Sequence, residues 1–250
     1  MTTDRIVEIE SLSFRALPAL EQQIYDGWIL RLSAGYTGRA NSVNPLYGST
    51  LDINEKIAYC EAFYAQHNLP PLFKLTDAPQ PDNLDVILSD KGYVYRENGH
   101  THVLTADLTA QDYPIDPALV IYSSLSPEWF NAFVDMNHVP FQHRDTLWQM
   151  LHLIQTPCAY ALLKRNDEPI GVALGVLDAG WMGIYDVVVS AEYRRKGYAR
   201  TIVSGVMGWG AESGAKDSYL QVLTGNIPAL NLYEDLGFAH AYDYWYRVKR

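Results

Sequence analysis

The sequence predicts an α/β protein of the α+β kind, built from two consecutive units. Three observations carry this. Apolar runs rich in β-branched residues alternate along the whole length with segments whose apolar residues recur at helical spacing. At 250 residues and 48% apolar content, the chain can bury one large core or two ordinary ones without staples. Asp107 to Pro117 is polar and contains Pro114 and Pro117, which places a linker over residues 111–117, between a unit of residues 1–110 and one of residues 118–250.

In the first unit, the opening residues to Ile24 carry a helical pattern, with Phe14, Leu17, Leu20 and Ile24 on one apolar face around Pro18. Tyr25-Asp26-Gly27 turns the chain into a strand at Trp28 to Leu32. A hairpin follows over Gly35 to Pro45, with a return strand that includes Arg39 to Val43. Arg39, Asn41, Ser42 and Asn44 give this hairpin an unusual polar content. Two readings stand: these side chains satisfy the backbone of the turn, or they line a pocket for an acceptor molecule. Asp52 or Asn54 can cap a helix that runs to His67, and its face of Ile57, Cys60, Phe63 and Tyr64 reads as core. Leu72 to Leu75 reads as a strand and Asn83 to Lys91 as a helix ended by Gly92. Tyr93 opens a long strand to Asp107 that turns at Asn98-Gly99.

In the second unit, a strand at Leu119 to Ser123 precedes a helix capped by Ser126 with Pro127 at its first position, then a helix near Arg144 to Ile154. Pro157 to Arg165 and Pro169 to Leu177 flank the turn Asn166-Asp167-Glu168 and should pair antiparallel, with Trp181 to Val189 as the next strand. A helix to Ser213, a strand at Ser218 to Leu223, a helix at Ile227 to Leu236 ended by Gly237, and a strand at Ala239 to Val248 complete the chain.

The stretch Ile184 to Thr201 organises this unit. A valine-rich strand runs into a basic turn with one glycine, and a helix follows directly. A helix N-terminus presents unpaired N–H groups and the positive end of its dipole, so this arrangement suits an anion such as a pyrophosphate. Arg194, Arg195, Lys196 and Arg200 add charge, Gly197 allows close approach, and Ala199 keeps the next turn small. A solvated surface turn is the alternative.

The order Arg194-x-x-Gly197-x-Ala199 resembles the pyrophosphate signature Gln/Arg-x-x-Gly-x-Gly/Ala of the GNAT superfamily of acyl-CoA-dependent N-acyltransferases. A second motif reinforces it: Leu220-Gln221-Val222, then Asn226, Ala229, Leu232, Tyr233, Leu236, Gly237 and Phe238, is similar to that family's C-terminal strand-helix-turn. The resemblance covers Leu119 to Val248 and implies the GNAT fold, a mixed, mostly antiparallel sheet flanked by helices. It further implies acetyl-CoA as co-substrate, no metal, and direct transfer to an amine. The backbone of Val187, Val188 and Val189 would pair with the pantetheine chain, and Arg194 to Arg200, with Tyr198 among them, would hold the pyrophosphate. Asn226 would contact the pantetheine amides or cap the following helix. The N–H of Val187 or a neighbour would stabilise the oxyanion. Tyr233 would protonate the leaving sulfur, with a packing tyrosine as the alternative.

The base is less determined. Asp186 lies within an otherwise apolar strand and is the candidate, with a structural hydrogen bond or an ammonium contact as alternatives. His138 and His143 could also serve.

The formal net charge is −10, with 8 basic and 14 acidic residues up to residue 110 and 11 and 15 beyond it. Neither part has the basic excess of a nucleic-acid binder, and an acidic body around one basic loop favours a cationic, small-molecule or peptide amine. Cys60 and Cys158 read as buried thiols of a reducing compartment, and no stretch has the length of a signal core or membrane span, so a cytoplasmic protein is expected. A CoA-binding regulatory or interaction module without turnover, and transfer of another acyl group, are the alternatives.

The first unit echoes the second. Leu72 to Leu75, the helix from Asn83 and Asp90-Lys91-Gly92-Tyr93 parallel Tyr219 to Val222, the helix from Ala229 and Asp235-Leu236-Gly237-Phe238, which sets Leu88 opposite Tyr233. A degenerate GNAT-like repeat that has lost the cofactor loop and covers the acceptor side of the cleft is expected.

Overall fold

Proline and glycine set several element ends in the computed structural model, which describes residues 1–249. The first elements are α1 (Thr3–Ala16), β1 (Glu21–Tyr25), β2 (Trp28–Leu32), β3 (Val43–Pro45), α2 (Ile53–Gln66), β4 (Leu72–Thr76), α3 (Leu84–Asp90), β5 (Val94–Tyr95) and β6 (Thr101–Asp107). Then come β7 (Leu119–Tyr122), α4 (Pro127–Met136), α5 (Phe141–His152), β8 (Cys158–Arg165), β9 (Glu168–Asp178) and β10 (Trp181–Val189). The chain finishes with α6 (Tyr198–Glu212), β11 (Asp217–Leu223), α7 (Ile227–Glu234) and β12 (Ala239–Val248). Among the described residues no helix is long and apolar enough to cross a membrane.

The chain forms two compact units. One comprises residues 1–102, 223–225 and the segment from Tyr242 on; the other comprises residues 103–222 and 226–241. This division differs from the one expected at residues 111–117. A segment is grouped with the residues it packs and pairs with, so the end of β12, which pairs with β4, joins the first unit and most of β6 joins the second. The expected linker packs inside the second unit: Tyr113 is buried, and its carbonyl oxygen lies 2.2 Å from where a Cβ on Gly208 of α6 would stand.

In the first unit the strand order is β1-β2-β3-β4, followed by the later residues of β12, whose far end also pairs with β5. Pairs β1/β2 and β2/β3 are antiparallel, and β3/β4 is parallel across α2. Trp28, Leu30, Val43 and Phe73 pack with Ile57, Cys60 and Tyr64 of α2, as the helical spacing predicts. Residues 21–25 are a strand instead of a continuation of the first helix. Pro18 cannot extend that helix, and Ile24, assigned to its apolar face, is exposed on β1. Buried charge is matched: Arg31 donates to the carbonyls of Phe14 and Leu17 at the end of α1, where a cation suits the helix dipole. Lys74, its pKa lowered by burial, pairs with buried Glu10, which also accepts from the Tyr242 hydroxyl at 2.7 Å.

In the second unit the order is β6-β11-β10-β9-β8-β7. Strands β7 to β10 are antiparallel, and β10/β11 is parallel across α6, so the connection pattern of the first unit recurs. Ile202, Val203, Val206 and Met207 of α6 pack on Ala173, Met182 and Ile184. Trp129 of α4 is fully buried, and its indole N–H donates to the carbonyls of Ala161 (3.0 Å) and Ala173 (3.1 Å). Helix α5 begins at Phe141, three residues before its expected start, because Pro140 occupies its N-cap position. Both cysteines are free and buried, and burial pushes the Cys60 thiol up to about 12 and the Cys158 thiol up to about 11.

Two tests follow. Gly208→Ala adds a better helix former, worth about 1 kcal/mol, yet it forces a methyl onto a backbone oxygen. Urea unfolding should show a net loss of about 1–3 kcal/mol, and a stabilised variant would show that residues 111–117 yield freely. In the first unit, the N–H of Leu51, then the N–H and hydroxyl of Thr50 and the Lys56 ammonium, hold the Asp26 carboxyl down from 3.8 to about 2. The folded value is depressed, so the stabilisation is complete above 3.8 and fades as pH falls through about 2. The amide resonances of Thr50 and Leu51 should titrate with that lower midpoint, and a midpoint at 3.8 contradicts the assignment.

Candidate active site

The site is built by a strand that leaves its partner. Parallel pairing of β10 with β11 runs from Trp181↔Asp217 to Ile184↔Leu220 and stops, although β10 continues to Val189 and β11 to Leu223. On its other side β10 pairs with β9, but the register breaks between Tyr185 and Val188. Two residues of β10, Asp186 and Val187, here oppose Ala173 alone, a β-bulge that bends the strand. Asp186 takes the left-handed conformation, φ +54°, which is costly for a residue with a Cβ and characteristic of functional sites.

Past Val189 the chain makes a single 3₁₀ turn at Ala191–Tyr193 and enters the basic loop. Arg195 has φ +62° and Gly197 φ +86°. A Cβ on Gly197 would meet no protein atom within 4 Å, so the left-handed backbone requires glycine there, not crowding by the protein. Gly197 stands at the N-cap of α6 without a side-chain cap. The first bond of the helix runs from the Thr201 N–H to the Gly197 carbonyl at 3.1 Å, so the N–H groups of Tyr198, Ala199 and Arg200 have no partner within the helix.

The matching helix of the first unit is closed. Asp52 caps α2 and accepts from the N–H groups of Asn54 (2.8 Å) and Glu55 (3.3 Å), so a carboxylate already fills that N-terminus.

A cavity of about 680 Å³ joins these parts of the second unit. Val187 to Val189 form one wall, the loop from Arg194 to Arg200 forms the end, and α7 with Asn226, Leu232 and Tyr233 forms the other wall. Tyr233 is buried, packs its ring against Phe238 at 5.9 Å, and has no hydrogen-bond partner for its hydroxyl among the described residues. Burial pushes that hydroxyl up to about 12, so it carries its proton throughout the neutral range. The Asn226 side-chain oxygen caps α7 by accepting from the Ala229 N–H at 3.3 Å, and its amide nitrogen stays free to donate.

The sequence-derived residues do not all share one place. Val187, Val188, Val189, Arg194, Arg195, Gly197, Tyr198, Ala199, Arg200, Asn226 and Tyr233 share the cavity. Lys196 lies in the same loop with its ammonium 5.3 Å from the Tyr193 ring centre. Asp186 precedes the first wall residue, and its charge helps raise the Tyr160 hydroxyl, chiefly pushed up by burial. His138 lines a separate groove with Glu128 and Glu192, and His143 borders neither.

The acceptor candidates belong to the first unit. Asn41 is buried; its side-chain oxygen accepts from the N–H groups of Ser33 (2.7 Å) and Gly35 (2.9 Å), and its amide donates to the Thr37 carbonyl (2.8 Å). Ser42 is fully buried, and its carbonyl accepts from the Asn44 amide at 2.9 Å. Arg39 sits in the 3₁₀ turn Gly38–Ala40, so the return strand starts at Val43, not at residue 39. Asn41 therefore serves the turn backbone with both ends of its side-chain amide, and Ser42 is buried beside Asn44, whose amide also reaches the Ser42 hydroxyl oxygen at 3.3 Å. Sequence reasoning missed the Asp186 bulge and the contact between Arg200 and Asp235, for which no local pattern exists.

A family model described as probable histone acetyltransferase Rv0428c C-terminal matches residues 3–247. The chain belongs to this family. It is a GNAT-superfamily N-acetyltransferase. The uncharacterized N-acetyltransferase YobR of Bacillus subtilis is 29% identical over 256 residues, covering 99% of this chain and 100% of its own. Two solved structures share the fold: a GCN5-related N-acetyltransferase from Kribbella flavida (TM-score 0.73, 14% identity, 97% of this chain and 95% of that one) and a tandem GNAT protein from the clavulanic acid biosynthesis pathway (TM-score 0.59, 12% identity, 78% and 69%).

Replacing Gly197 in this acetyltransferase by Val tests the loop. A β-branched residue resists φ +86°, so anion affinity at the α6 N-terminus should fall at least about tenfold for the ~1–3 kcal/mol such strain costs, with thermal stability lowered only slightly. Unchanged affinity for CoA in calorimetry would remove the loop from the site.

Proposed function

We propose that the chain transfers an acetyl group from acetyl-CoA to a cationic amine by direct attack in a ternary complex. The observation that carries this is the joining of open α6 N–H groups, the unpaired edge of β10 and the Tyr233 hydroxyl in one cavity. Acetyl-CoA supplies an activated thioester. Val187 to Val189 offer backbone groups to an extended amide chain, as an added strand would take them. The N–H groups from Gly197 to Arg200 receive the diphosphate. Asn226 donates its free amide hydrogens to a pantetheine carbonyl while its oxygen caps α7.

Three services remain for the chemistry. The bulge re-aims the Val187 N–H, which stabilises the negative charge that develops on the acyl oxygen as the carbon becomes tetrahedral. Asp186 accepts the proton of the incoming ammonium, directly or through water, so that the amine attacks neutral. Tyr233, protonated and without another partner, gives its proton to the departing sulfur.

The acceptor is an amine that is charged before it binds. A net charge of −10 draws such molecules toward the protein, and the family's description names a probable histone acetyltransferase, whose substrates are proteins. A peptide or small-molecule amine fits both observations. The first unit is a degenerate GNAT-like copy whose anion site is closed by Asp52, so each chain has one catalytic centre.

Calorimetry should show CoA binding, and CoA release should depend on the amine offered from a panel of polyamines, amino acids and basic peptides. Tyr233→Phe should lower turnover about 100-fold with acetyl-CoA affinity kept, as loss of a general acid does. Wild-type turnover should show no loss at pH 10 traceable to Tyr233, because that group titrates only at about 12. Equal turnover of the two proteins would assign protonation of the sulfur to another donor.

A further inference from the structure

Arg200 and Asp235 are both charges at the wrong end of a helix. Arg200 lies in the first turn of α6, where the dipole and the open N–H groups are already positive. Asp235 is the C-cap of α7, where the carbonyls are already negative. The two side chains meet at 2.5 Å, and both residues border the cavity between the loop and α7. Each offsets the other's unfavourable helix end.

We infer that this ion pair is an electrostatic latch on the donor site: Asp235 holds Arg200 until a diphosphate arrives, and Arg200 then exchanges the carboxylate for phosphate. The inference rests on the reading of this cavity as the CoA site and adds to it a residue, Asp235, that sets donor affinity through Arg200. The exchange is favourable on simple grounds. A diphosphate at the α6 N-terminus cancels the surplus positive charge there that Asp235 otherwise neutralises, and it offers Arg200 a bidentate acceptor of higher charge. The pair is also cheap to break. Its side chains are 45% and 65% exposed, and pairs so placed are weak. Asp235 competes with the ligand for one guanidinium and repels the same phosphates, so it is a positioning residue with a negative sign for affinity.

The test is a double-mutant cycle read by calorimetry with CoA, and with pantetheine as the ligand that lacks phosphate. Asp235→Asn should tighten CoA about threefold or more, of the size expected for an exposed ion pair, and should leave pantetheine affinity unchanged. Arg200→Gln should weaken CoA. In the Arg200→Gln background the gain from Asp235→Asn should fall below half, because no guanidinium is left to release. An equal gain in both backgrounds would reduce Asp235 to a distant repelling charge and overturn the latch, as would no gain at all or an equal gain for pantetheine. A wild-type chain without CoA affinity would instead sink the reading of the cavity on which the latch rests. Thermal unfolding of each variant guards against misfolding, and Asp235→Glu, which keeps the charge, should restore the wild-type CoA affinity.

Discussion

The end of parallel pairing between β10 and β11 at Ile184↔Leu220 is the constraint on which the proposed donor site depends. A strand that continues for five residues past its last partner exposes backbone donors and acceptors that must find water or a ligand. Two things keep β10 extended there. Pairing with β9 resumes at Val188↔Val172 and Val189↔Gly171 after the bulge, and Ile202 of α6 packs where any side chain on Gly171 would have to stand, 2.6 Å from its Cβ position. One edge of the strand is therefore fixed while the other is open. The fixed edge also determines where the basic loop begins, since the Arg194 side chain donates to the Val189 carbonyl at 3.0 Å.

The same connection pattern in the two units isolates what leaves a helix N-terminus open to an anion. In both, a parallel crossover leads into a helix of four turns or nearly so. The first unit spends its helix N–H groups on Asp52, and Asp26 gathers the nearby N–H groups of Thr50 and Leu51. The second places glycine at the N-cap and leaves its N–H groups open. An anion is welcome at either position, but in one case the chain supplies it. This is a difference of a few side chains on a shared backbone plan.

The sequence was most informative where the determinants are local. The loop-to-helix motif, the Asn226 cap and the Gly237 stop need only neighbouring residues, and they fall where their chemistry demands. Strand membership is different: which unit holds the end of β12 depends on partners more than 160 positions away, as Tyr244↔Thr76 illustrates, and no local pattern encodes it. The polar hairpin was ambiguous for another reason. A buried turn and a ligand pocket both call for asparagine and serine, and only the fold shows that Asn41 has its oxygen and amide committed to Ser33, Gly35 and Thr37. At Asp186 the carboxylate in an apolar strand drew attention for its charge, whereas its positive φ is what alters the strand.

Charge in the loop shows how a count of residues differs from a site. Four cations appear between Arg194 and Arg200, yet the structure commits two of them: Arg194 to the Val189 carbonyl and Arg200 to Asp235. Lys196 lies over the Tyr193 ring. Arg195, in the left-handed region, has no ion pair among the described residues. In the proposed anion site the backbone N–H groups are thus the part whose direction Gly197 and α6 set, while the side-chain cations surround it with contacts of their own that a ligand would exchange. In a protein of net charge −10, that division matters. Side-chain attraction decays within about 10 Å at moderate salt, so in the proposed site it would serve encounter, and the directed N–H groups would decide where the phosphates stop.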